Sequence, residues 1–302
     1  MEPVEYIWMD GEMVKWENAK VHALTHALHY GTGVFEGIRA YDTEEGPAVF
    51  RLEEHVERFL DSAKITGMNL DYSKDELIEA VEKTITENGL ESCYIRPLAF
   101  RGYESLGLST EDVPVETLIA AWPWGAYLGE DAIKNGVDVK ISTWTRHHPN
   151  IVPTKAKATG NYINSVMAKQ EAVRDGYDEA IMLNHEGYVA EGSGENVFIV
   201  RDGDLITPPD SDVLEGITRN SVIEVARDLG YTVKEKEVSR DQLVRAEEAF
   251  FTGTAAEVTP IRSVDGKQIS DGRGDITEDI QTAFWDIAEG KNKNYTEWLH
   301  HL

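Results

Sequence analysis

The sequence predicts two domains, each with sheets flanked by helices, an α+β or α/β architecture. Three observations lead there. The 302 residues are enough for two domains with buried cores. Apolar patterns of period 2 and period 3.6 alternate along the chain, with no internal repeat and no low-complexity segment. One stretch, WPWGAYLGED at Trp122–Asp131, sets a proline, two glycines and three aromatics between two patterned blocks. The expected boundaries are an N-terminal domain over 1–121, an interdomain linker over 122–132 and a C-terminal domain over 133–302.

In the first block, YIWMDGEMV is two apolar runs around Asp10-Gly11, a hairpin pattern. GVFEGIRAY and AVFRL read as strands joined by the acidic turn DTEEGP. EEHVERFLDSAKITG has helical spacing and stops at Gly67. In SKDELIEAVEKTITENG, Ser73 with Glu76 makes a capping box, Leu77, Val81 and Ile85 share a face, and Gly89 closes the helix. CYIRPLAF and ETLIAAW return to strand.

In the second block, VDVKISTW reads as a strand and GNYINSVMAKQEAVRDG as a helix. EAIMLN, YVAEG, NVFIV and DLITP follow as short strands. GITRNSVIEVARDLG is a helix with Val222, Val225, Ala226 and Leu229 on one face and Gly230 at its end. AFFTGTA runs from strand into a turn, and TEDIQTAFWDIAEG is the last helix.

Composition narrows the function classes. With 55 acidic against 29 basic residues the formal charge is −26, which disfavours nucleic acid and anionic membranes as partners. The acids are spread along the whole chain and read as a solvated coat of the halophilic kind. A single cysteine, Cys93, excludes an intrachain disulfide and a cysteine-rich metal cluster. The start MEPVEYIWMDGEMV lacks a basic region followed by an apolar core. The longest apolar stretch, TLIAAWPWGAYLG, is interrupted by Pro123 and falls short of the roughly 20 residues of a membrane span. A soluble, cytoplasmic protein is expected.

Several short motifs bear on chemistry. GTGVFEG looks superficially like a dinucleotide loop, but a strand follows it where the fingerprint needs a helix. His22, His26 and His29 in HALTHALHY have metal-like spacing, yet no glutamate or cysteine joins them, so they read as core or surface histidines and no metal is expected. AEGSGENVF puts Glu191 and Glu195 in a glycine-rich turn. LEGITRN opens a helix at Gly216, Ile217 and Thr218, where N–H groups and the dipole suit a phosphate. FTGTAAE offers a second corner with exposed N–H groups at Gly253, Thr254, Ala255 and Ala256. TKAKATGNYIN carries two lysines, Lys155 and Lys157, and a tyrosine, Tyr162, at a helix start. Each motif is weak alone. Together they supply what pyridoxal phosphate requires: an amine for a Schiff base, an acid for the ring nitrogen, a donor for the ring oxygen and an anion cradle. Composition does not choose between the two lysines.

HALHYGTGVFEGIRAY, YIRPLAF, WPWGAYLG, KATGNYINS, EGSGENVF, EGITR and GTAAEVTPI occur in this order and at the spacings of the branched-chain amino acid aminotransferases, which the chain resembles over roughly residues 4 to 290. The resemblance implies the fold type IV of pyridoxal 5′-phosphate enzymes and transfer of the amino group of L-leucine, L-isoleucine or L-valine to 2-oxoglutarate. It places the Schiff-base role on Lys157 and leaves Lys155 solvated. It gives Glu191 the ring nitrogen, Tyr162 the ring oxygen, and Arg58 with Gly216, Ile217, Thr218, Gly253 and Thr254 the phosphate, while Glu195 supports the cofactor site. The implied substrate pocket takes apolar walls from Tyr30, Phe35, Trp124, Tyr127 and Tyr162, with Leu108 reached across a subunit boundary. The substrate carboxylate would meet Tyr94 and the N–H groups of Thr254 and Ala255, and Arg96 would receive the side-chain carboxylate of glutamate or 2-oxoglutarate. A homodimer is implied as the minimum, a hexamer being the larger alternative. Glu215 stands where the family often has proline, and is expected to face solvent. A D-amino acid aminotransferase or an aminodeoxychorismate lyase of the same fold type is the alternative reading. A cofactor-free Schiff-base aldolase would have no use for two anion cradles, and a non-catalytic acidic binding protein none for the lysine and glutamate together.

Overall fold

The computed structural model describes residues 2–125, 127–129 and 131–302, which contacts divide into two compact units. Unit 1 holds the chain up to Trp124, then Ala156–Tyr162 and Ile287–Leu302; unit 2 holds Gly125–Lys155 and Ile163–Asp286. This differs from the expected single passage between domains. The chain leaves unit 1 within the expected linker, returns at Ala156–Tyr162, and returns again at its end. A shift in composition marks the first crossing, whereas the later ones are set by long-range pairing. Ala126 and Glu130 of the expected linker lie outside the described residues.

Unit 1 begins with the hairpin of β1 (Tyr6–Met9) and β2 (Glu12–Lys15), turned by Asp10 and Gly11 at φ 44° and 92°. Positive φ at both positions matches the strands' right-handed twist, which is why Asp-Gly marks such a turn. Next come α1 (His26–Tyr30), β3 (Gly33–Phe35), β4 (Ile38–Thr43), β5 (Gly46–Phe50), α2 (Leu52–Ile65), α3 (Lys74–Glu87), β6 (Cys93–Arg101) and β7 (Val115–Trp122). The capping box at Ser73 and Glu76 forms as the sequence predicts. Leu52, Val56 and Phe59 of α2 and Leu77, Val81 and Ile85 of α3 join Ile38, Ile95 and Ile119 of the sheet in one core.

GVFEGIRAY is not one strand. β3 pairs with Leu98–Phe100 and β4 with Cys93–Ile95, and the chain breaks between them at Glu36-Gly37. A Cβ on Gly37 would lie 2.0 Å from the Tyr94 hydroxyl oxygen, so only glycine fits there.

Unit 2 contains α4 (Ala132–Asn135), β8 (Val137–Ile141), α5 (Tyr162–Arg174, from Ile163), β9 (Glu179–Leu183), β10 (Val189–Gly192), β11 (Asn196–Arg201), β12 (Asp204–Thr207), α6 (Ile217–Asp228), β13 (Val233–Glu235), α7 (Arg240–Val244), β14 (Glu248–Gly253), β15 (Glu257–Val264), β16 (Lys267–Gln268) and α8 (Asp275–Ala288). Its sheet runs β10-β9-β8-β15-β14-β11-β12-β13, with β16 on β15. The β8–β9, β8–β15 and β12–β13 pairs are parallel. Val139, Ile181, Val197, Phe251 and Ile261 anchor its core.

β15 was not foreseen. Pro260 in its middle demotes the pattern, and Glu257 at its start has φ 52°. β17 (Leu299–His301) brings the chain end back to unit 1, antiparallel to β5, completing the order β17-β5-β4-β6-β7-β1-β2 with β3 also on β6. No helix among the described residues is long and apolar enough to cross a membrane.

Candidate active site

In unit 1 the backbone of Lys157 is held from two sides. Its N–H donates to Ser62 Oγ at 3.0 Å, its carbonyl accepts from Phe35 N–H at 3.0 Å, and Ala158 bridges Val34. Just beyond, Gly160 N–H donates to Gly31 O at 3.1 Å. The backbones meet so closely that a Cβ on Gly31 would lie 2.9 Å from Gly160 Cα. With the segment fixed, Lys157 Nζ donates to the Tyr162 hydroxyl at 2.8 Å and lies 5.1 Å from the Phe35 ring centre.

Lys155 is not simply solvated, as the sequence suggested. In unit 2 its Nζ lies 2.8 Å from Glu215 Oε1 and 3.4 Å from Asp210 Oδ2. Glu215, half exposed as expected, therefore meets a cation on its solvent side. The two lysines are separated by environment: one faces acids, the other a phenol and an aromatic ring.

Phe35, Glu36 and Gly37 each carry one link. The Phe35 ring sits 4.8 Å from that of Tyr162, and the Arg96 guanidinium lies 4.8 Å above Phe35. Gly37 gives room to the Tyr94 hydroxyl, which accepts from Arg96 Nη2 at 3.1 Å. The Trp124 ring packs edge-on against Tyr94, with centres 4.5 Å apart. Glu36, fully buried, accepts from Arg58 Nε at 2.7 Å and Nη2 at 2.8 Å, and from His55 Nδ1–H at 2.9 Å. Burial alone would push the Glu36 carboxyl up, but the Arg58 charge and the His55 hydrogen bond hold it far below the usual carboxylate range. Burial pushes His55 down, so its ring is the neutral donor.

Unit 1 thus gathers Phe35, Tyr94, Arg96, Trp124, Lys157 and Tyr162 into one connected group of side chains. Two other expected residues stand apart. Tyr30 is half exposed and donates to Leu106 O at 3.0 Å, and Leu108 is 85 % exposed. Of the histidines, His26 is buried against Thr32 Oγ1 and Gly107 O, while His22 and His29 lie at the surface. No group that could hold a metal ion occurs among the described residues.

Unit 2 carries the acids and the N–H corners. Glu191 lies at the end of β10, 7 % exposed, with its Oε1 2.6 Å from Arg146 Nε and its Oε2 accepting from Asn196 Nδ2 at 3.3 Å. Behind them, Arg146 Nη1 donates to His147 Nδ1 at 3.0 Å. Burial and the Arg146 charge push His147 down to about 4, so the ring is free to accept that bond. The same Asn196 amide donates to Leu214 O at 3.1 Å, and a Cβ on Gly216 would strike its Oδ1 at 1.9 Å. One side chain therefore ties Glu191 to the turn that opens α6. Ile217 and Thr218 form the first turn of α6, Gly216 is its N-cap, and no side chain caps the helix. Its first N–H groups are thus directed at whatever anion the turn receives.

Gly253 ends β14, and Thr254 and Ala255 form the turn into β15. Tyr127, also in unit 2, lies beneath the Lys169 ammonium at 5.8 Å. Glu195 is buried beside Gly194 N–H, 3.1 Å from Oε2. Burial, with the neighbouring Glu179 charge, pushes its carboxyl up to about 8. Glu179 itself is fully buried and bonded to Lys169 Nζ and Ser193 Oγ at 2.6 and 2.7 Å.

Glu36, His55, Arg146 and Asn196 were not singled out from sequence. Glu36, His55 and Arg146 act on residues far along the chain, and Asn196, though five residues from Glu191, has its second partner 18 away at Leu214. Taken by itself, unit 1 offers an amine beside a phenol and a fixed guanidinium, and unit 2 by itself offers a buried carboxylate and an uncapped helix start; each is a donor type that a phosphorylated pyridine aldehyde requires. Arg96 Nε, buried without a hydrogen-bond partner in the protein, suits a further anionic group.

Residues 33–264 match the amino-transferase class IV family. The chain is 54 % identical over 293 residues to the branched-chain-amino-acid aminotransferase of Pseudomonas aeruginosa, covering 97 % of this chain and 95 % of that one. It is similar to the crystal structure of the Escherichia coli branched-chain amino acid aminotransferase, with a TM-score of 0.97, 49 % identity and 99 % of both chains covered. The branched-chain amino acid aminotransferase of Thermobaculum terrenum, solved in its PLP-form, matches with a TM-score of 0.92 and 37 % identity, over 99 % of this chain and 98 % of that one.

A carboxyl whose pKa rises on folding favours the folded state while protonated. Glu195 therefore contributes fully below the ordinary glutamate value, and its contribution fades as pH rises towards about 8. In thermal unfolding the wild type loses stability across that window, and Glu195→Gln flattens the loss. An identical slope in both proteins would contradict the assignment.

Proposed function

The chain belongs to the class IV aminotransferases, among the branched-chain-amino-acid aminotransferases, and from that premise we propose a mechanism in which Lys157 is the catalytic base and acid. The amino group of L-leucine, L-isoleucine or L-valine passes to 2-oxoglutarate with pyridoxal 5′-phosphate as cofactor. The observation that carries the assignment is the contrast between the lysines: Lys157 Nζ meets Tyr162 at 2.8 Å while Lys155 is engaged by Glu215. When bound, the cofactor supplies a carbonyl that takes up amines and a ring that draws electrons from the amino acid's Cα.

The chain's own residues do the rest. Lys157 Nζ would hold the cofactor and, once an incoming amine has freed it, would take and return the Cα proton. Tyr162 would hydrogen-bond the ring oxygen. Glu191, steadied by Arg146 and Asn196, would meet the ring nitrogen, and Glu195 would support it from the adjoining turn. By the family resemblance, Arg58, the N–H groups of Gly216, Ile217 and Thr218, and the Gly253-Thr254 turn would hold the phosphate.

By the family resemblance, Phe35, Tyr30, Trp124, Tyr127 and Tyr162 would wall the side-chain pocket, with Leu108 of a second copy closing it. Tyr94, with the N–H groups of Thr254 and Ala255, receives the α-carboxylate. Arg96, stacked on Phe35, receives the second carboxylate of 2-oxoglutarate. A cation lying over an aromatic ring at the edge of an apolar pocket lets one site take leucine-like and glutamate-like side chains in turn.

The homodimer is supported by the exposed apolar side chains Leu24, Leu28, Tyr30, Tyr103, Leu106 and Leu108 on and near α1. A cytoplasmic setting is supported by the one cysteine being buried and free. The formal charge of −26 supports a halophilic source, since its self-repulsion is relieved when salt screens it.

Lys157→Ala abolishes leucine-dependent glutamate formation and the visible absorbance of lysine-linked cofactor, whereas Lys155→Ala keeps both. Equal behaviour of the two variants would defeat the assignment, and a wild type that turned over D-alanine but not L-leucine would defeat the substrate class. The melting temperature rises from dilute buffer to molar potassium chloride, and light scattering gives at least twice the 33.8 kDa of one chain. A salt-independent melting temperature would remove the halophilic reading, and a monomer the shared pocket.

A further inference from the structure

The glutamate of FEG has no part in the mechanism above, yet it is the most deeply buried charge of unit 1. We propose that Glu36 is a positioning residue for the cofactor phosphate, acting through Arg58, an inference that rests on the reading of Arg58 as a phosphate ligand. Glu36 takes Arg58 by one edge, Nε at 2.7 Å and Nη2 at 2.8 Å. A planar guanidinium gripped along one edge has its plane fixed and its remaining nitrogen, Nη1, directed away from the carboxylate. Arg58 then presents one defined direction instead of sampling the rotamers of a long side chain.

The grip is itself secured. His55, one turn before Arg58 on α2, donates from Nδ1 to Glu36 Oε2 at 2.9 Å, and Gly37 N–H donates to the same oxygen at 3.2 Å. Glu36 and His55 are 0 % and 1 % exposed, while the Arg58 side chain retains 14 %. The three groups thus run from a closed interior to one edge that solvent can reach. A pair that served only to pin α2 to the sheet would gain nothing from that asymmetry, and apolar residues serve such a purpose as well or better. The break between β3 and β4 is where Glu36 turns to make the contact.

The test separates phosphate positioning from general support of the fold. Wild type, Glu36→Gln, Glu36→Asp, Arg58→Ala and the double variant Glu36→Gln/Arg58→Ala are freed of cofactor, and the dissociation constants of pyridoxal 5′-phosphate and of pyridoxal, which lacks the phosphate, are measured by absorbance. Glu36→Gln is expected to weaken pyridoxal 5′-phosphate by about ten- to hundredfold, the size of one charged hydrogen-bond partner, and to leave pyridoxal unchanged. It should add nothing to Arg58→Ala. Glu36→Asp keeps the charge but is one carbon too short for the two-point grip, and it gives the same phosphate-selective loss should Glu36→Gln fail to fold. Equal weakening of both ligands, a loss that adds to that of Arg58→Ala, or no change in either variant overturns the proposal. If Arg58→Ala weakens pyridoxal 5′-phosphate and the Glu36 variants do not, only the role of Glu36 falls; if Arg58→Ala is itself without effect, the phosphate reading of Arg58 falls first.

Discussion

A charge taken out of water must be met by other charges and donors, and in unit 1 that requirement organises everything around Lys157. Leaving a buried carboxylate uncompensated costs several kcal/mol, more than most single contacts return. Glu36 is met by Arg58, His55 and its neighbour's N–H. Two of those donors stand a turn apart on α2, so the helix must lie with that face towards the β3–β4 break. Phe35 on one side then lies against Tyr162 and Arg96, and Gly37 on the other lies beneath Tyr94. The apolar core of Ile38, Phe59 and Ile95 supplies most of the burial, but it would tolerate many orientations. The polar cluster selects one.

Unit 2 follows the same logic with a different set of partners. Glu191 is balanced by Arg146, and Arg146 is steadied by a histidine that burial keeps neutral. Asn196 then joins that acid to the start of α6. A carboxylate and a helix N-terminus, which separate loops would leave loosely related, are thus held in one register by a single amide. Preorganisation of this sort keeps polar groups aimed before a ligand arrives, so no reorganisation is needed when it does.

Local patterns carried much of the fold. The Asp10-Gly11 hairpin, the Ser73 capping box and the apolar face of α6 at Val222, Val225 and Ala226 were legible because their causes lie within a few residues of one another, whereas Leu229, expected on that face, lies past the helix end and is exposed. β15 and β17 were not, since a proline interrupts one and the other is defined only by pairing with β5, far away in sequence. The site divides in the same way. Glycine-rich corners and a lysine beside a tyrosine can be read directly, but local chemistry left Lys155 and Lys157 equal, and only the ordered series of family motifs separated them. Glu36 and Arg58 are 22 residues apart, and nothing in either neighbourhood announces the other. Lys155, read as solvated, instead found Glu215, the residue standing where proline is common.

The division of the chain has a consequence for how such a protein can be inherited. Ala156–Tyr162, with Lys157, belongs to unit 1 although unit 2 surrounds it in sequence, and Ile287–Leu302 closes the edge of the first sheet from the far terminus. A recombination event that exchanged the first 124 residues as a block would carry Arg58, Glu36 and Arg96 into a new gene without Lys157 and without β17. The two units are distinct clusters interleaved along the chain, so a single crossover cannot exchange either of them whole.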